Sequence, residues 1–588
     1  MSPDDTLGEN QRLAHELALA LSGEGPTHVV VSPGSRSTPL ALAFDALEAC
    51  ELHVVLDERA AAFVALGMAR ATGRPAVVLA TSGSAGANHY PAVVEANLAR
   101  VPMLVVTADR PGELQGCGAP QTMPQRALFG EHVRLALSLP EPSPSLSQRW
   151  LHVVGTRARA AATGSPAGPV HLNVPFREPL YDPERSFQPE GDVALPTVVR
   201  GRRRLDTDTL EALAADLSSC SSGAIVCGPL APSTVDAREL ASAVCGLGAR
   251  LGWPVLADAT SGLRFGGEPA QHPIACGDTL LRAGVGRAPR VARILRFGQP
   301  PTTKSVLRWL AAHAGDMWLV DPDGEWLDGG GAASRLLVAE PVSLARDLTA
   351  ALPSRPNTEA AATLARFRAA EAAASRALSR HARDGEWEGR VVSEVVMALP
   401  PGARLHVASS MPVRDLDSFS GVREAPLEVT SNRGVNGIDG TVATALGLAL
   451  VSRVPTAALL GDLAFLHDLD GLEAAGALAA TRGLALVLVV VDNGGGGIFG
   501  ELPIARHPTA FERLFLTARP GDAATIARGL GLASERVAPS GLGAAMTRAF
   551  AAGGVTVLHV LVDREASSTR RRRALDEAGE AASKELSG

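Results

Sequence analysis

The sequence has little of several features that would mark a particular class of protein. Aromatic residues make up only 4% of its 588 residues, so its cores must be built from small aliphatic side chains. No apolar run reaches the ~20 residues that a membrane span needs. The amphipathic pattern of 6–21 has neither the basic start nor the unbroken apolar run of a signal peptide. We therefore predict a cytoplasmic protein that does not enter a membrane.

An excess of positive charge is also lacking, since 55 Lys and Arg residues stand against 62 Asp and Glu residues. The net charge is −7, so the sequence shows no excess of positive charge of the kind that nucleic-acid-binding proteins use. The one basic cluster, 570–573, is followed by acidic residues and is predicted to be a solvated helix face. The six cysteines lack any C-x-x-C spacing, so we predict reduced, buried thiols rather than a metal site or a disulfide framework.

Short apolar β-rich runs alternate with helical patterns along the whole chain. Strands that are apolar throughout indicate parallel sheets covered by helices on both faces. The runs form three groups of similar size, as expected for a chain of this length. We predict an α/β protein of three doubly wound parallel-sheet domains at 1–190, 200–355 and 380–588, with linkers near 185–205 and 355–385.

Two strand ends in the third group carry a candidate metal site. Asp462 ends one apolar strand, and Asn493 follows the next one 31 residues later, with a helical pattern between them. Adjacent parallel strands bring such residues to the same edge of a sheet, where ligands of open α/β sheets bind. An acid and an amide are hard oxygen ligands that suit Mg²⁺. The glycines at 494–497 would let a diphosphate approach the backbone.

This arrangement, GD followed by N about 30 residues later, resembles the signature of the thiamine-diphosphate-dependent enzymes. The resemblance implies that the three domains are a pyrimidine-binding, a central and a diphosphate-binding domain. It implies thiamine diphosphate and Mg²⁺ (or Mn²⁺) as cofactors, the metal being held by Asp462, Asn493 and the carbonyl of Gly495. It also implies that Glu58, in "VVLDERAA", hydrogen-bonds N1′ of the cofactor's aminopyrimidine ring and is catalytic.

The motifs "PGSRSTPL", "TADRPGELQGCGAPQT", "NRGVNGIDG" and "GGIFGELP" are similar to the menaquinone-biosynthetic branch of this family. That resemblance implies a transferase that decarboxylates 2-oxoglutarate and adds the carbanion to isochorismate. Both substrates carry two carboxylates, which arginine forks at strand ends would bind. The residues implied to bind substrate or intermediate are Ser35, Arg36, Arg110, Gln121, Lys304, Ser410, Arg414, Arg433 and Leu502, with Arg36, Ser410, Arg414 and Arg433 also assigned to catalysis.

Further cofactor contacts are implied by the same resemblance. Gly461 would lie at the diphosphate, Ile438 would bend the cofactor, and Ile498 and Phe499 would form an apolar wall beside its thiazolium with Leu502. Asp492 stands where the family usually has an asparagine, which changes little if its side chain points away from the metal. Because Glu58 and Asp462 lie in different domains, the resemblance implies active sites between the subunits of a homodimer or tetramer.

Two other readings stay open. The first is another thiamine-dependent 2-oxoacid decarboxylase or carboligase, which the arginine-rich loops disfavour for a small neutral second substrate. The second is a cofactor-binding relative without catalysis, acting as a sensor or scaffold. In such a protein Glu58, Asp462 and Asn493 would be expected to have drifted, and all three are present.

Overall fold

The computed structural model describes residues 2–23, 25–184, 194–230, 236–267, 272–282 and 290–587. The first predicted linker, 185–205, lies partly outside the described residues. The strands are β1 Thr27–Val31, β2 Cys50–Val54, β3 Ala76–Ala80, β4 Met103–Asp109, β5 Leu135–Ser138, β6 Pro169–Pro175, β7 Gly223–Cys227, β8 Val255–Ala257, β9 Arg293–Phe297, β10 Met317–Val320, β11 Ala333–Leu337, β12 Ala403–Val407, β13 Leu427–Thr430, β14 Thr456–Gly461, β15 Ala485–Asp492, β16 Ala533–Arg536 and β17 Gly554–Leu561.

The helices lie between these strands and at both ends of the described chain. They are α1 Pro3–Ser22, α2 Thr38–Asp45, α3 Glu58–Thr72, α4 Ser84–Asn88, α5 Tyr90–Leu98, α6 Gln148–Ala162, α7 Thr207–Ser219, α8 Ala237–Leu251, α9 Gly277–Arg282, α10 Lys304–Ala311, α11 Pro341–Ala351, α12 Thr358–Arg383, α13 Glu388–Ala398, α14 Met411–Phe419, α15 Thr441–Ser452, α16 Asp462–His467, α17 Leu469–Arg482, α18 Pro508–Ala510, α19 Ala523–Gly529, α20 Leu542–Ala552 and α21 Arg564–Ser587. Within the described residues, none of these helices is both long enough and apolar enough to cross a membrane.

The strands form three sheets, and every pair of neighbouring strands in the described chain is parallel. The strand orders are β2-β1-β3-β4-β6-β5, β11-β10-β9-β7-β8 and β13-β12-β14-β15-β17-β16. The first and third sheets share one order, with each edge strand reached by a crossover. The predicted fold class of three doubly wound parallel-sheet domains is confirmed. The predicted domain boundaries stay a prediction.

The chain divides into two compact units. The first contains Met1–Arg200, Asn432–Arg453 and His467–Leu484, and so joins the first sheet to α15 and α17. Helices α3 and α15 pack tightly there through glycines. A Cβ on Gly67 would lie 2.2 Å from the Thr444 carbonyl oxygen, and one on Gly447 would lie 2.1 Å from that of Val64. Only glycine permits this approach.

The second compact unit contains Gly201–Ser431, Val454–Leu466 and Ala485–Gly588, and therefore holds the second and third sheets. One hydrophobic core runs from strands of both sheets to α12, α13 and α21, and includes the buried Phe367 and Trp387. The second predicted linker, 355–385, is therefore mostly the 26-residue helix α12, packed against α21. The helical pattern of this stretch was predicted correctly, and its role as a linker stays a prediction.

The cysteines are all free thiols in the described chain, as predicted. Their predicted burial is confirmed for Cys227, Cys245 and Cys276, whereas Cys50 and Cys220 are half-buried. It is wrong for the exposed Cys117.

Candidate active site

Glu58 is the first residue of α3, reached directly from the carboxyl end of β2. The Asp57 carboxylate caps this helix by accepting a hydrogen bond from the Ala60 N–H at 2.9 Å. The half-buried Glu58 carboxylate accepts one from Asn88 Nδ2 at 3.1 Å. Sequence reasoning missed Asn88, although it closes a glycine-rich turn, "SGSAGAN" at 82–88. The structure therefore places a positioned carboxylate at this end of the first sheet.

Two arginines predicted to bind substrate lie close together in the first unit. Arg36 is buried and donates to the Phe176 carbonyl at 3.1 Å and to Glu178 Oε1 at 2.9 Å. Arg110 donates to Ser82 Oγ and, at 2.9 Å, to the carbonyl of Gln121. Burial and the nearby Arg36 guanidinium lower the pKa of Arg110. The described carboxylates near these two guanidinium groups are those of Glu178, which pairs with Arg36, and Asp109, which acts on Arg110. Neither of them forms a hydrogen bond with the Arg110 side chain, which suits that side chain to an anionic ligand.

Ser35 and Gln121 complete this group. Ser35 is exposed beside Arg36. Gln121 has a positive φ of 53°, which a non-glycine residue rarely adopts, and its Oε1 accepts from Arg110 Nη2 at 3.5 Å. The structure thus brings four of the predicted substrate residues together within the first unit.

The segment that carries Arg433 and Ile438 also belongs to the first unit. The Glu95 carboxylate on α5 accepts hydrogen bonds from the N–H groups of Gly434 and Val435, at 2.9 and 2.8 Å. These bonds fix the predicted cofactor- and substrate-binding loop on the same unit as Glu58. Arg433 and Ile438 are both half-buried. Along the chain they lie within the predicted diphosphate-binding domain, 380–588, whose bounds stay a prediction.

Asp462 stands where β14 ends, beside the end of β15. The two strands pair Gly461 with Val491, so Asp462 and Asp492 are the next residues on neighbouring strands. The Leu463 N–H donates to Asp462 Oδ1 at 2.9 Å. Burial, followed by repulsion from Asp492, raises the pKa of Asp462 to about 6. A cation bound beside Asp462 would stabilise its ionised form, which burial and Asp492 otherwise disfavour.

The Asp492 side chain does not point away from Asp462. Its carboxylate raises the pKa of Asp462, accepts from His559 Nε2 at 2.8 Å and accepts from the Gly494 N–H at 3.0 Å. The expectation that an aspartate at this position changes little depended on its side chain pointing away, and this side chain does not. The hydrogen bonds from His559 and from the Gly494 N–H stabilise the negative charge of Asp492 and so lower its pKa.

Asn493 supplies an amide oxygen for which the described residues offer no hydrogen-bond donor. Its Nδ2 donates to Glu388 Oε1 at 3.1 Å, while its buried Oδ1 accepts no hydrogen bond from any described residue. A buried acceptor left unpaired costs about 1–3 kcal/mol, unless a ligand satisfies it. Burial and Asp415 raise the pKa of Glu388 to about 7. Sequence reasoning missed Glu388, which lies 105 residues before Asn493 with no motif around it.

The glycine run after β15 has a local structural cause. Gly495 has a φ of 124°, and a Cβ on it would lie 2.2 Å from the Leu516 carbonyl oxygen. The same carbonyl accepts a hydrogen bond from the Gly496 N–H at 2.7 Å. The carbonyl of Gly495, the predicted third metal ligand, accepts from the Gly497 N–H at 2.8 Å, which leaves its second lone pair. Close packing on the segment Phe511–Leu516 therefore requires at least part of the run.

The predicted apolar wall is less uniform than expected. Ile498 and Phe499 are half-buried in the 3₁₀ helix Gly497–Glu501, and the rings of Phe499 and Phe515 have centroids 5.5 Å apart. Leu502 is 37% exposed. Ile498 and Phe499 thus fit a fixed apolar surface better than Leu502 does.

Ser410 and Arg414 lie at the start of α14, in the second unit. Ser410 has φ 76° and ψ −131°, a backbone conformation that costs a non-glycine residue about 1–3 kcal/mol and is concentrated at functional sites. Its carbonyl accepts a hydrogen bond from Arg414. The next residues of α14, Met411 and Pro412, line a pocket together with Gly461, Asn493 and Glu388. Lys304 is exposed at the first position of α10.

The basic cluster 570–573 is not only a solvated face. Arg571 is buried, and its Nε lies 2.7 Å from Asp415 Oδ1. Its charge offsets the burial of Asp415, the residue that in turn raises the pKa of Glu388. The prediction is therefore wrong for Arg571. This residue belongs to a buried polar cluster in which Asp415 and Glu388 connect it to Asn493.

The residues at the ends of β14 and β15 fit a hard divalent cation. Asp462 and Asn493 offer carboxylate and amide oxygens, and the unpaired Oδ1 of Asn493 is the observation that favours a cation over an ordinary turn. The N–H groups of Gly494, Gly496 and Gly497 already donate to protein acceptors, so these three are not free to bind a diphosphate. In the first unit, Glu58 and the two arginines offer a proton-handling group and an anion site.

Comparison with known proteins gives a consistent picture. Family models of the thiamine pyrophosphate enzymes match the N-terminal TPP binding domain at residues 11–129, the middle domain at 213–407 and the C-terminal TPP binding domain at 417–560. The crystal structure of benzoylformate decarboxylase from Polynucleobacter necessarius covers 94% of this chain and 98% of its own, with a TM-score of 0.70 and 17% identity. That likeness concerns the fold alone.

Closer relatives share one name. The 2-succinyl-5-enolpyruvyl-6-hydroxy-3-cyclohexene-1-carboxylate synthase of Myxococcus xanthus is 40% identical over 97% of this chain and 98% of its own length. The enzyme of the same name from Geobacillus kaustophilus is 42% identical over 86% of both chains. The chain therefore belongs to the 2-succinyl-5-enolpyruvyl-6-hydroxy-3-cyclohexene-1-carboxylate synthase family of thiamine pyrophosphate enzymes.

Proposed function

We propose that this chain is a transferase of menaquinone biosynthesis that joins 2-oxoglutarate to isochorismate. The reaction releases CO2 from 2-oxoglutarate and forms a carbon–carbon bond by conjugate addition of the remaining four-carbon carbanion to isochorismate. The product is 2-succinyl-5-enolpyruvyl-6-hydroxy-3-cyclohexene-1-carboxylate. The observation that carries the proposal is the 40% identity to a synthase of that name along almost the entire length of both chains.

Thiamine diphosphate, when bound, supplies the electron sink that decarboxylation of a 2-oxoacid requires. Glu58 would hold a proton at N1′ of its aminopyrimidine ring, and Asn88 keeps the carboxylate oriented through its 3.1 Å hydrogen bond. Asp462, Asn493 and the Gly495 carbonyl would bind Mg²⁺, or Mn²⁺ in its place. The unpaired amide oxygen of Asn493 supports that assignment.

The remaining predicted residues would orient the two dianionic substrates. Arg36 and Arg110 are anchored by protein acceptors and would keep their remaining N–H groups for carboxylates. Ser35, Gln121, Lys304, Ser410, Arg414 and Arg433 would add polar contacts. Ile438, Ile498 and Phe499 would exclude water at the reacting carbon, with Leu502 at the rim.

We further propose that the active site is shared by two subunits of a homodimer or of a tetramer built from such dimers. The family resemblance implies this arrangement, and the membership of Glu58 and Asp462 in different compact units is compatible with it. A shared site of this kind makes the smallest active species a dimer with twofold symmetry.

Product identification tests the proposed reaction. Purified protein with thiamine diphosphate and Mg²⁺ is given 2-oxoglutarate and isochorismate, and the products are followed by mass spectrometry. The expected product has the summed mass of both substrates less CO2, and its formation requires both. Decarboxylation of 2-oxoglutarate with isochorismate left intact would instead indicate another thiamine-dependent decarboxylase or carboligase. If neither is consumed while the cofactor still binds, a sensor or scaffold is favoured.

Replacing Arg110 by Gln is expected to raise KM for at least one of the two substrates by about 10- to 100-fold, because a hydrogen bond to a charged group contributes about 1.5–3 kcal/mol. The exposed Arg126 is the matched control, and Arg126→Gln should leave both KM values unchanged. Steady-state kinetics with each substrate varied in turn measures the effect. Unchanged KM values with a lowered melting temperature would show that Arg110 only holds the loop of Gln121.

A further inference from the structure

A second group of metal-ligating side chains lies on the first sheet. Strands β1 and β2 pair His28 with Glu51 and Val30 with His53. Side chains alternate between the two faces of a strand, so His28, Glu51 and His53 share one face. Their ligand atoms, one from each residue, all lie within 4.8 Å of one another.

The separations between these atoms suit a shared ion. Glu51 Oε2 lies 3.5 Å from His28 Nδ1, and Glu51 Oε1 lies 4.0 Å from His53 Nε2. Ligands bound at about 2.0–2.2 Å in a tetrahedral Zn²⁺ site are themselves separated by roughly 3–4 Å. Small rotations of the three side chains would therefore be sufficient to enclose a cation.

Three ring nitrogens of the two histidines lack hydrogen-bond partners among the described residues. His53 is completely buried, and neither of its ring nitrogens has a hydrogen-bond partner among the described residues. The buried His28 Nδ1 also lacks one. Buried polar atoms in folded proteins are nearly always satisfied, so three unpaired imidazole nitrogens around one carboxylate indicate a missing ligand.

The histidines are in the form that binds metals. Burial, and then Arg482 and His28, lower the pKa of His53 to about 3. Burial is also the main reason that the pKa of His28 is lowered. Both rings are therefore neutral near pH 7 and can each offer a lone pair.

Among the described residues, two guanidinium groups oppose a cation here: that of Arg482 on α17 and, more weakly, that of Arg74, both of which lower the pKa of His28. Arg482 Nη1 lies 2.6 Å from Glu51 Oε1, and its Nη2 donates to the Leu52 carbonyl at 2.8 Å. The Arg482 guanidinium thus occupies one carboxylate oxygen and leaves Oε2 towards His28. Arg482 orients the Glu51 carboxylate by a hydrogen bond, as groups outside the ligand shell of a metal site commonly do. Its positive charge lowers the affinity of the site for a cation.

We propose that His28, Glu51 and His53 bind a borderline divalent transition metal such as Zn²⁺, with a water molecule as the fourth ligand. Two imidazoles and one carboxylate suit Zn²⁺, whereas the all-oxygen set at Asp462 suits Mg²⁺. The bound ion cross-links β1 to the edge strand β2, whose end leads within four residues to Glu58. This site is separate from the proposed cofactor site and does not depend on the proposed reaction.

Cobalt(II) binding to the holoprotein tests this proposal. With thiamine diphosphate and excess Mg²⁺ present, Co²⁺ is titrated and its visible d–d absorption recorded. We expect saturation at about one Co²⁺ per chain, intense bands of a four-coordinate ion, and displacement by Zn²⁺. His28→Gln and Glu51→Gln should weaken binding by at least about 100-fold, because losing only an outer partner already costs about 10–100-fold.

The exposed His507 provides the matched control, since His507→Gln should bind Co²⁺ like the unmodified chain. Thermal unfolding checks that each variant is folded, and two variants are used so that a failure of one leaves the other informative. Equal Co²⁺ affinity in His28→Gln and the unmodified chain would overturn the proposal. So would the absence of saturable d–d bands in the unmodified chain.

Discussion

Glu58→Gln is expected to lower kcat by about 100- to 10,000-fold, the contribution of a positioned general acid–base group. Glutamine keeps the size of the side chain and can still meet Asn88, but it cannot hold or release a proton at the cofactor ring. The fold should be unaffected, because Glu58 is half-buried at a helix start capped by Asp57. Single-turnover formation of product measures the loss.

A matched control separates this effect from a general change in charge. Glu48 is exposed in the same unit, and Glu48→Gln should retain full activity. The variants are also compared for thiamine diphosphate binding by near-ultraviolet circular dichroism. A Glu58→Gln chain with kcat within a factor of about three of the unmodified chain would rule out the proton-transfer role assigned to Glu58.

Asp462→Asn is expected to weaken Mg²⁺-dependent binding of thiamine diphosphate by at least about 100-fold. The carboxylate is the only charged group among the three proposed metal ligands, and an amide is a much weaker partner for Mg²⁺. Isothermal titration of cofactor at fixed Mg²⁺ concentration gives the change in affinity. The control is Asp576→Asn, which alters an exposed carboxylate of α21 and should bind like the unmodified chain.

The same substitution should stabilise the metal-free chain. The pKa of Asp462 is raised to about 6 by burial and by Asp492, whereas an unfolded Asp titrates near 3.9. The folded metal-free chain therefore loses stability as pH rises from about 4 through 6, by about 1–3 kcal/mol in total. Asparagine does not ionise and removes this loss.

Urea unfolding of chelator-treated protein at pH 5 and pH 8 measures the difference. We expect Asp462→Asn to gain stability over the unmodified chain mainly at pH 8, whereas Asp576→Asn gains none at either pH. A variant that binds cofactor normally, or that is less stable than the unmodified chain at pH 8, would contradict the assignment of Asp462 as an ion-dependent ligand.

Most of the strands that the sequence predicts are largely buried apolar runs, although β2, β11 and β13 were predicted despite being partly exposed. Strands β3, β4 and β6 consist entirely of buried residues and stand out as apolar runs. The short edge strands β5 and β16 were missed. They are half-exposed, with sequences LALS and ASER that carry no such run. Their pairing is decided by the neighbouring β6 and β17 rather than by local pattern.

The candidate site was predictable where the chemistry and the motif coincide. Asp462 and Asn493 follow buried strands and could be read from the sequence, but Glu388 holds the Asn493 amide from a helix with no motif of its own. Arg571 could have been found, because it shares a helical stripe with the buried Ala574 and Leu575. The basic residues around it hid this periodicity.

The glycine run shows how one motif can have two causes. Gly495 and Gly496 are required by the close approach of the Phe511–Leu516 backbone, irrespective of any ligand. The sequence indicated that something approaches this backbone closely, but a single sequence cannot separate a neighbouring chain segment from a diphosphate. The two are compatible, because a loop fixed from one side presents its other side in a defined shape.

The claim that Glu58 and Asp462 serve one carboligase site shared between subunits is tested most directly by mixing two inactive variants. Glu58→Gln and Asp462→Asn chains are unfolded together, refolded and assayed for isochorismate loss that requires 2-oxoglutarate. Random pairing should restore about a quarter of the unmodified activity, because half of the dimers are hybrids and one of their two sites carries both native residues. Mixtures that contain hybrid dimers, verified by native mass spectrometry, but remain inactive would contradict the shared site.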